Sequence, residues 1–332
     1  MQSQPLTSIK TRGRRRRRLT AALLDLHENY LKSSSSRKQP KEAKNPIKIV
    51  CISDTHNTQP VIPPGDILIH SGDLTENGSF DEVQAGISWL SSQPHRHKFL
   101  IAGNHDVLLD DAFLEKYPTR RYGQTKTRHD LDWGTVEYLQ DAWTTIEIPV
   151  LRNEDDRPCS ASPLNQTSTR KITIFGSPRT PKYGVSAFQY TDEEGERNWS
   201  SKEETVILIT HGPPNLYLDK RDFHRAGCPY LLDAIYKLRP RLHVFGHIHN
   251  AYGVQEDVVL DRVRQAHDDV MIGWGGIRTI VLMLFFGIWE RLRGHISFGK
   301  KRDRGRVTTF VNASIVAGMD NHLQNEPIVV EI

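Results

Sequence analysis

Apolar residues fall along this chain in short, nearly unbroken runs, and between the runs the pattern changes to helical spacing. The segments "IKIVCIS" (47–53), "DILIHS" (66–71), "KFLIAG" (98–103), "ITIFGS" (172–177), "VILITH" (206–211) and "LHVFGH" (242–247) have strand length and a β-branched or aromatic bias. They are apolar at consecutive rather than alternate positions, the mark of strands covered on both faces. "DEVQAGISWLSS" (81–92), "DAFLEKY" (111–117) and "PYLLDAIYKL" (229–238) predict helices, and "VTTFVNAS" (307–314) and "PIVVEI" (327–332) predict closing strands. Strands mixed with helices in this way predict an α/β fold.

Three stretches break the rhythm. Residues 32–46, "KSSSSRKQPKEAKNP", cannot bury a face and read as a linker, so residues 1–45 are expected to be a disordered basic arm and 46–332 the folded domain. Residues 152–170, polar throughout, predict a flexible surface loop. Residues 255–306 read as an insertion between strands, opening with a charged helical pattern and passing into "IVLMLFFGIW" (280–289).

Composition adds where these segments lie in charge. The chain of 332 residues is 37% apolar and 25% charged, within the range of water-soluble globular proteins. Its net charge of +4 is the sum of +9 over the first 44 residues and −5 over the rest. The folded body is therefore slightly acidic, which excludes it as a nucleic-acid surface and leaves only the basic arm for that role. Cys51, Cys159 and Cys228 have no paired spacing, which argues against a disulfide framework and for an intracellular compartment, the cytoplasm first. The Arg-rich start leaves a nuclear, mitochondrial or membrane-associated address open. Ten apolar residues at 280–289 fall short of the roughly 18–20 needed to span a bilayer. With Arg278, Arg291, Arg293, Lys300, Lys301 and Arg302 around them, residues 277–298 suit a helix lying on an anionic membrane surface; the alternatives are packing on the body or a protein-binding patch.

The candidate chemistry lies at the ends of the apolar runs. "SDTH" follows the first, "SGD" the second, "AGNHD" the third, "THG" the fifth and "FGHIH" the sixth. A single Asp or His near a strand end commonly caps a turn. Five blocks of Asp, Asn and His behind strands point to one crevice, because open α/β sheets bind ligands outside the carboxyl ends of their strands. Asp54, His56, Asp73, Asn104, His105, His211, His247 and His249 exceed what a four-coordinate zinc site uses, and suit two metals joined by a shared carboxylate. Gly72, Gly103 and Gly246 permit close backbone approach. The other histidines read as surface or structural, with His70 a hydrogen-bonded core residue.

The order D-x-H, G-D, G-N-H-D, H-G and G-H-x-H, over residues 47–250, resembles the calcineurin-like metallophosphoesterases. The resemblance implies a four-layer α/β/β/α sandwich. It implies that Asp54, His56 and His249 hold one metal, Asn104, His211 and His247 the other, and that Asp73 bridges them. It also implies that His105 stabilises or protonates the leaving oxygen and that Asp106 orients His105. "GDLTENG" lacks the Arg of the protein phosphatases and has Glu76 where purple acid phosphatases carry an iron-ligating Tyr. "DILIHSGDLTENGS", "GSPRTPKYGVSAFQY" and "THGPP" are similar to the small metallophosphoesterase-domain group of 239AB-like proteins. That likeness implies a phosphodiesterase acting by a metal-bridging hydroxide on a small phosphoester or nucleotide. Phosphomonoesterase activity and a non-catalytic metal scaffold are the alternatives. The donor types suit Mn, Fe, Zn or Ni, and substrate choice is expected to reside in loops 117–135 and 178–200.

Overall fold

The computed structural model describes residues 6–35, 45–151, 167–199, 205–296, 307–318 and 321–332. The chain divides into two compact units, Glu42–Val258 with Thr308–Ile332, and Met1–Lys41 with Val259–Val307.

In the larger unit, β1 (Lys48–Ile52), β2 (Ile67–Ser71), β3 (His97–Ile101) and β4 (Val136–Tyr138) run parallel side by side. A second sheet contains β5 (Ala142–Leu151), β6 (Thr167–Ser177), β7 (Ile207–Thr210), β8 (Leu242–Phe245), β9 (Gly253–Val259) and β10 (Val307–Asn312), with β6, β7, β8 and β10 parallel. β11 (Ile328–Glu331) closes the first sheet antiparallel to β1. The consecutive apolar runs follow from this layering. Ile49, Cys51, Ile67, Ile69, Phe99 and Ile101 meet Ile172, Ile174, Ile207, Ile209, Leu242 and Val244 in one core between the sheets. The intervening residues Val50, Ile52, Leu68 and Leu100 belong to a second core. Each such side chain stabilises the fold by about 1.5–3 kcal/mol.

Helices form the outer layers. α2 (Phe80–Ser92) is started by a capping box in which Ser79 accepts from the Glu82 N–H and Glu82 accepts from the Ser79 N–H. It turns Phe80, Val83, Ile87 and Leu90 into the second core, joined there by Phe113 and Leu114 of α3 (Asp111–Lys116). α4 (Asp192–Asn198) and α5 (Pro229–Leu238) belong to the other side, and α5 buries Leu231, Leu232, Ala234 and Ile235. The result is the expected α/β/β/α sandwich.

The smaller unit consists of α1 with α6 and α7: Leu6–Ser35, Arg262–Ile272 and Ile277–Ile296. Leu24, Val263, Ala266 and Met283 form its core. His27 Nε2 lies 2.6 Å from Asp261 Oδ2, and Arg264 pairs with Glu28. Asp261 caps α6 through the Arg264 N–H at 2.9 Å.

Several expectations are corrected. Residues 6–35, expected as a disordered arm, are helical because Thr20, Leu24 and His27, at helical spacing, form a buried stripe behind the Arg run. Residues 152–166 of the expected loop lie outside the described residues, while 167–170 open β6 and pair with 148–151. Residues 255–259, expected as helix, belong to β9. Cys51 and Cys228 are free and buried; Cys159 lies outside the described residues.

Candidate metal centre

The loops behind the strands meet one another through hydrogen bonds. Asp54, after β1, accepts the His247 N–H with both carboxylate oxygens at 3.0 Å, joining the β1 and β8 ends. Ser314, after β10, donates to Asp54 Oδ2 at 2.9 Å. His211, after β7, lies with Nδ1 3.0 Å from the Ser71 carbonyl of β2 and Nε2 2.9 Å from Asn104 Oδ1 behind β3. The His105 N–H donates to Asp73 Oδ1 at 2.8 Å.

Two groups of donor atoms result. Asp54, His56 and His249 form one and Asp73, His211 and His247 the other, each with its atoms within 4.8 Å of one another. Asn104 joins the second through His211. Asp73 Oδ2 faces both, 3.2 Å from His211 Nε2 and 3.9 Å from His56 Nε2. All seven side chains expected as metal ligands are thus brought together. A third group, His56, Glu76 and His105, adjoins them.

The donor set fits cations. In neutral His211 the Nδ1–H is used on the Ser71 carbonyl, so Nε2 offers a lone pair, and it converges with oxygens of Asn104 and Asp73. His56 is buried with both ring nitrogens lacking a hydrogen bond among the described residues, although Nδ1 is 3.1 Å from Glu76 Oε2. Lone pairs facing lone pairs in a buried site call for positive charge between them.

The backbone is bent to make this cage. Asp54, His56, Asp73 and His247 all have positive φ, at 51°, 43°, 51° and 67°. Such conformations cost about 1–3 kcal/mol each and persist where the surroundings enforce them. Two glycines make the approach sterically feasible. A Cβ on Gly246 would lie 2.0 Å from Asp54 Oδ2, and one on Gly103 2.2 Å from Asp73 Oδ1.

Burial would raise the Asp54 carboxyl, yet the hydrogen bond and charge of His249, with His211 and His56, hold it well below the usual carboxylate range. Asp73 is likewise held low against burial, chiefly by His211. Burial opposes charge on His211, but the Asp73 carboxylate prevails and pushes the ring up to about 9, so that a proton on Nε2 meets the demand for positive charge where no cation does. His247 is pushed down to about 3 by burial and by His211.

His105 and Asp106 need one correction. The Asp106 carboxylate receives N–H groups of Leu74, Thr75 and Gly103 and the Thr75 hydroxyl, at 2.7–3.2 Å, so it ties the loops behind β2 and β3 together. The bond orienting the His105 ring comes instead from the Glu76 carbonyl, 2.7 Å from Nδ1. Burial lowers the His105 pKa, but the Asp73 charge with the Glu76 carbonyl outweighs it, for a net upward shift.

Glu76, Ser314 and Tyr183 were not among the expected site residues. The Tyr183 ring stands 5.1 Å from that of His247 and is half exposed. "VNAS" at a strand end is the signal that could have found Ser314; a carbonyl such as that of Glu76 leaves none.

Residues 47–251 match the calcineurin-like phosphoesterase family, and the chain belongs to that family. It is 35% identical over 228 residues to metallophosphoesterase domain-containing protein 1 of Homo sapiens, covering 66% of each. A UPF0046 protein of Caenorhabditis elegans is 32% identical over 222 residues, 63% of this chain and 65% of that one. A protein of Emericella nidulans named probable rhamnogalacturonate lyase C is 36% identical over 307 residues, 90% of this chain and 26% of that protein. The chain therefore spans about a quarter of the lyase-named relative and just under two thirds of the others.

Proposed function

We propose that this protein hydrolyses phosphoesters, diesters in preference to monoesters, with the cage at the strand ends holding two divalent cations. Asp54, His56 and His249 would hold one, Asn104, His211 and His247 the other, and Asp73 both. When bound, such a pair of cations neutralises phosphoryl charge and acidifies water near neutral pH. The observation that carries the reading is the position of Asp73 Oδ2 between the two ligand groups.

The chain's own residues supply the remaining steps. Because His105 Nδ1–H is held by the Glu76 carbonyl, the proton that comes and goes is on Nε2. Protonated, Nε2–H donates to the departing alkoxide; afterwards the ring is left as the neutral Nδ1–H tautomer that the carbonyl already fixes. The Glu76 carboxylate beside His56 favours diesters, since it repels the second charge of a monoester dianion. Tyr183 offers an aromatic face to a base or aryl leaving group.

The test is a panel of aryl phosphomonoesters, aryl phosphodiesters and cyclic nucleotides, assayed with Mn, Fe, Zn and Ni on wild type beside Asp73→Asn. Metal-dependent diester turnover abolished by Asp73→Asn is expected. Faster turnover of monoesters would support the phosphatase reading, and bound metal without any turnover the scaffold.

A further inference from the structure

The smaller unit carries an apolar face that its own core does not use. α7 turns Met283 into the helical core, against which Phe286 packs, and also buries Ile280. The opposite side presents Ile277, Val281, Phe285, Ile288, Trp289 and Leu292, each 51–65% exposed. Those positions follow one another at helical spacing and form a continuous apolar arc. Isolated exposed apolar residues mean little; a contiguous face of this size marks a binding surface.

Charge decides what covers it. At about 100° per residue, Arg291 and Arg293 fall on the two borders of the arc and Arg278 near its N-terminal end. All three are exposed. On α1, Arg14–Arg18 are exposed at five consecutive positions, which sweep more than a full turn, so every side of that helix offers guanidinium groups. A second copy placed face to face would set these cations against the same cations. An anionic lipid surface would accept the apolar arc between its acyl chains and the cations among its phosphates. No helix among the described residues is long and apolar enough to cross a membrane, which leaves the in-plane arrangement.

We infer that the outer face of α7, with Arg14–Arg18, docks on the surface of an anionic lipid bilayer. The proposal does not depend on the chemistry of the metal centre.

The test is flotation of the full chain with vesicles of phosphatidylcholine alone or of phosphatidylcholine with phosphatidylserine, at low and high salt, beside light scattering for oligomeric state. Binding to the serine-containing vesicles is expected, weakening at 1 M salt, where the screening length is about 3 Å. Phe285→Ser/Ile288→Ser/Trp289→Ser should lower partitioning about 100-fold. Replacing Arg14–Arg18 by Gln should lower it about tenfold or more. Circular dichroism of both variants should match wild type, since the changed side chains are exposed. Failure of wild type to float with anionic vesicles, or equal flotation of the triple variant, overturns the inference. A stable dimer that the triple variant dissociates, without lipid binding, assigns the face to a second copy instead.

Discussion

The two units break the rule of apolar inside and polar outside in opposite directions. In the larger, Asp54, Asp73, Asn104 and His211 are at most 4% exposed, and their lone pairs converge. In the smaller, a helix face of Ile, Val, Phe, Trp and Leu stands in solvent. Buried polarity is costly unless a partner satisfies it, and exposed apolar surface is costly unless a partner covers it. Each violation therefore points to a partner by its chemistry: cations for converging lone pairs and, on the inference above, an acyl layer for an apolar arc edged by arginine. The contrast also separates the two kinds of effect that mutation should have.

The largest expected effect is on chemistry. Asp73→Asn keeps the volume but removes the anion facing both ligand groups, and should lower diester turnover by about 10³-fold or more with little loss of fold. His105→Ala should lower kcat by about 10²–10⁴-fold while bound metal, measured by elemental analysis, stays at the wild-type level. Loss of metal in that variant would mean His105 is a ligand rather than the proton donor.

Effects on stability come next and sharpen the contrast between buried and exposed positions. Gly246→Ala drives a Cβ into Asp54 and Ser53 and should cost about 1–3 kcal/mol, read as a lower urea midpoint, together with weaker metal retention. Within α7, Met283→Ala should cost about 2–5 kcal/mol because it empties the small helical core. Phe285→Ser on the opposite face should stay within about 0.5 kcal/mol. Equal costs at the two positions would mean that the outer face is packed in solution.

The last effect is graded and concerns pH. His243, fully buried with Nε2 2.8 Å from Thr210 Oγ1, is pushed down to about 3 by burial. The unfolded chain binds a proton near pH 6.5 that the folded chain refuses. Stability should therefore fall as pH drops below about 6.5, by up to about 1.4 kcal/mol per unit from this group, levelling near its folded pKa. Urea titrations of His243→Gln should show a correspondingly shallower acid limb.

Much of the site was legible because strands buried on both faces leave unbroken apolar runs, and each run ends in the residues that matter. Strands covered on one face were harder. β5 alternates Ile146 and Ile148 with Thr145 and Glu147 and contains Pro149, which an edge strand tolerates. β9 is an exposed edge whose charged residues mimic a helix surface. α1 was hidden by its Arg run, since charge blocks usually stay solvated, whereas here a stripe of Thr20, Leu24 and His27 is inside. Glu76 orients His105 through a backbone carbonyl, for which no side chain stands as a signal.

Elemental analysis of the purified chain, beside Asp54→Asn and Asp73→Asn, reaches the central claim most directly. Wild type should carry about two transition-metal equivalents per chain, both variants fewer, with the steeper loss for Asp73→Asn because that carboxylate faces both groups. Active protein without bound transition metal, or metal content indifferent to both substitutions, would contradict it.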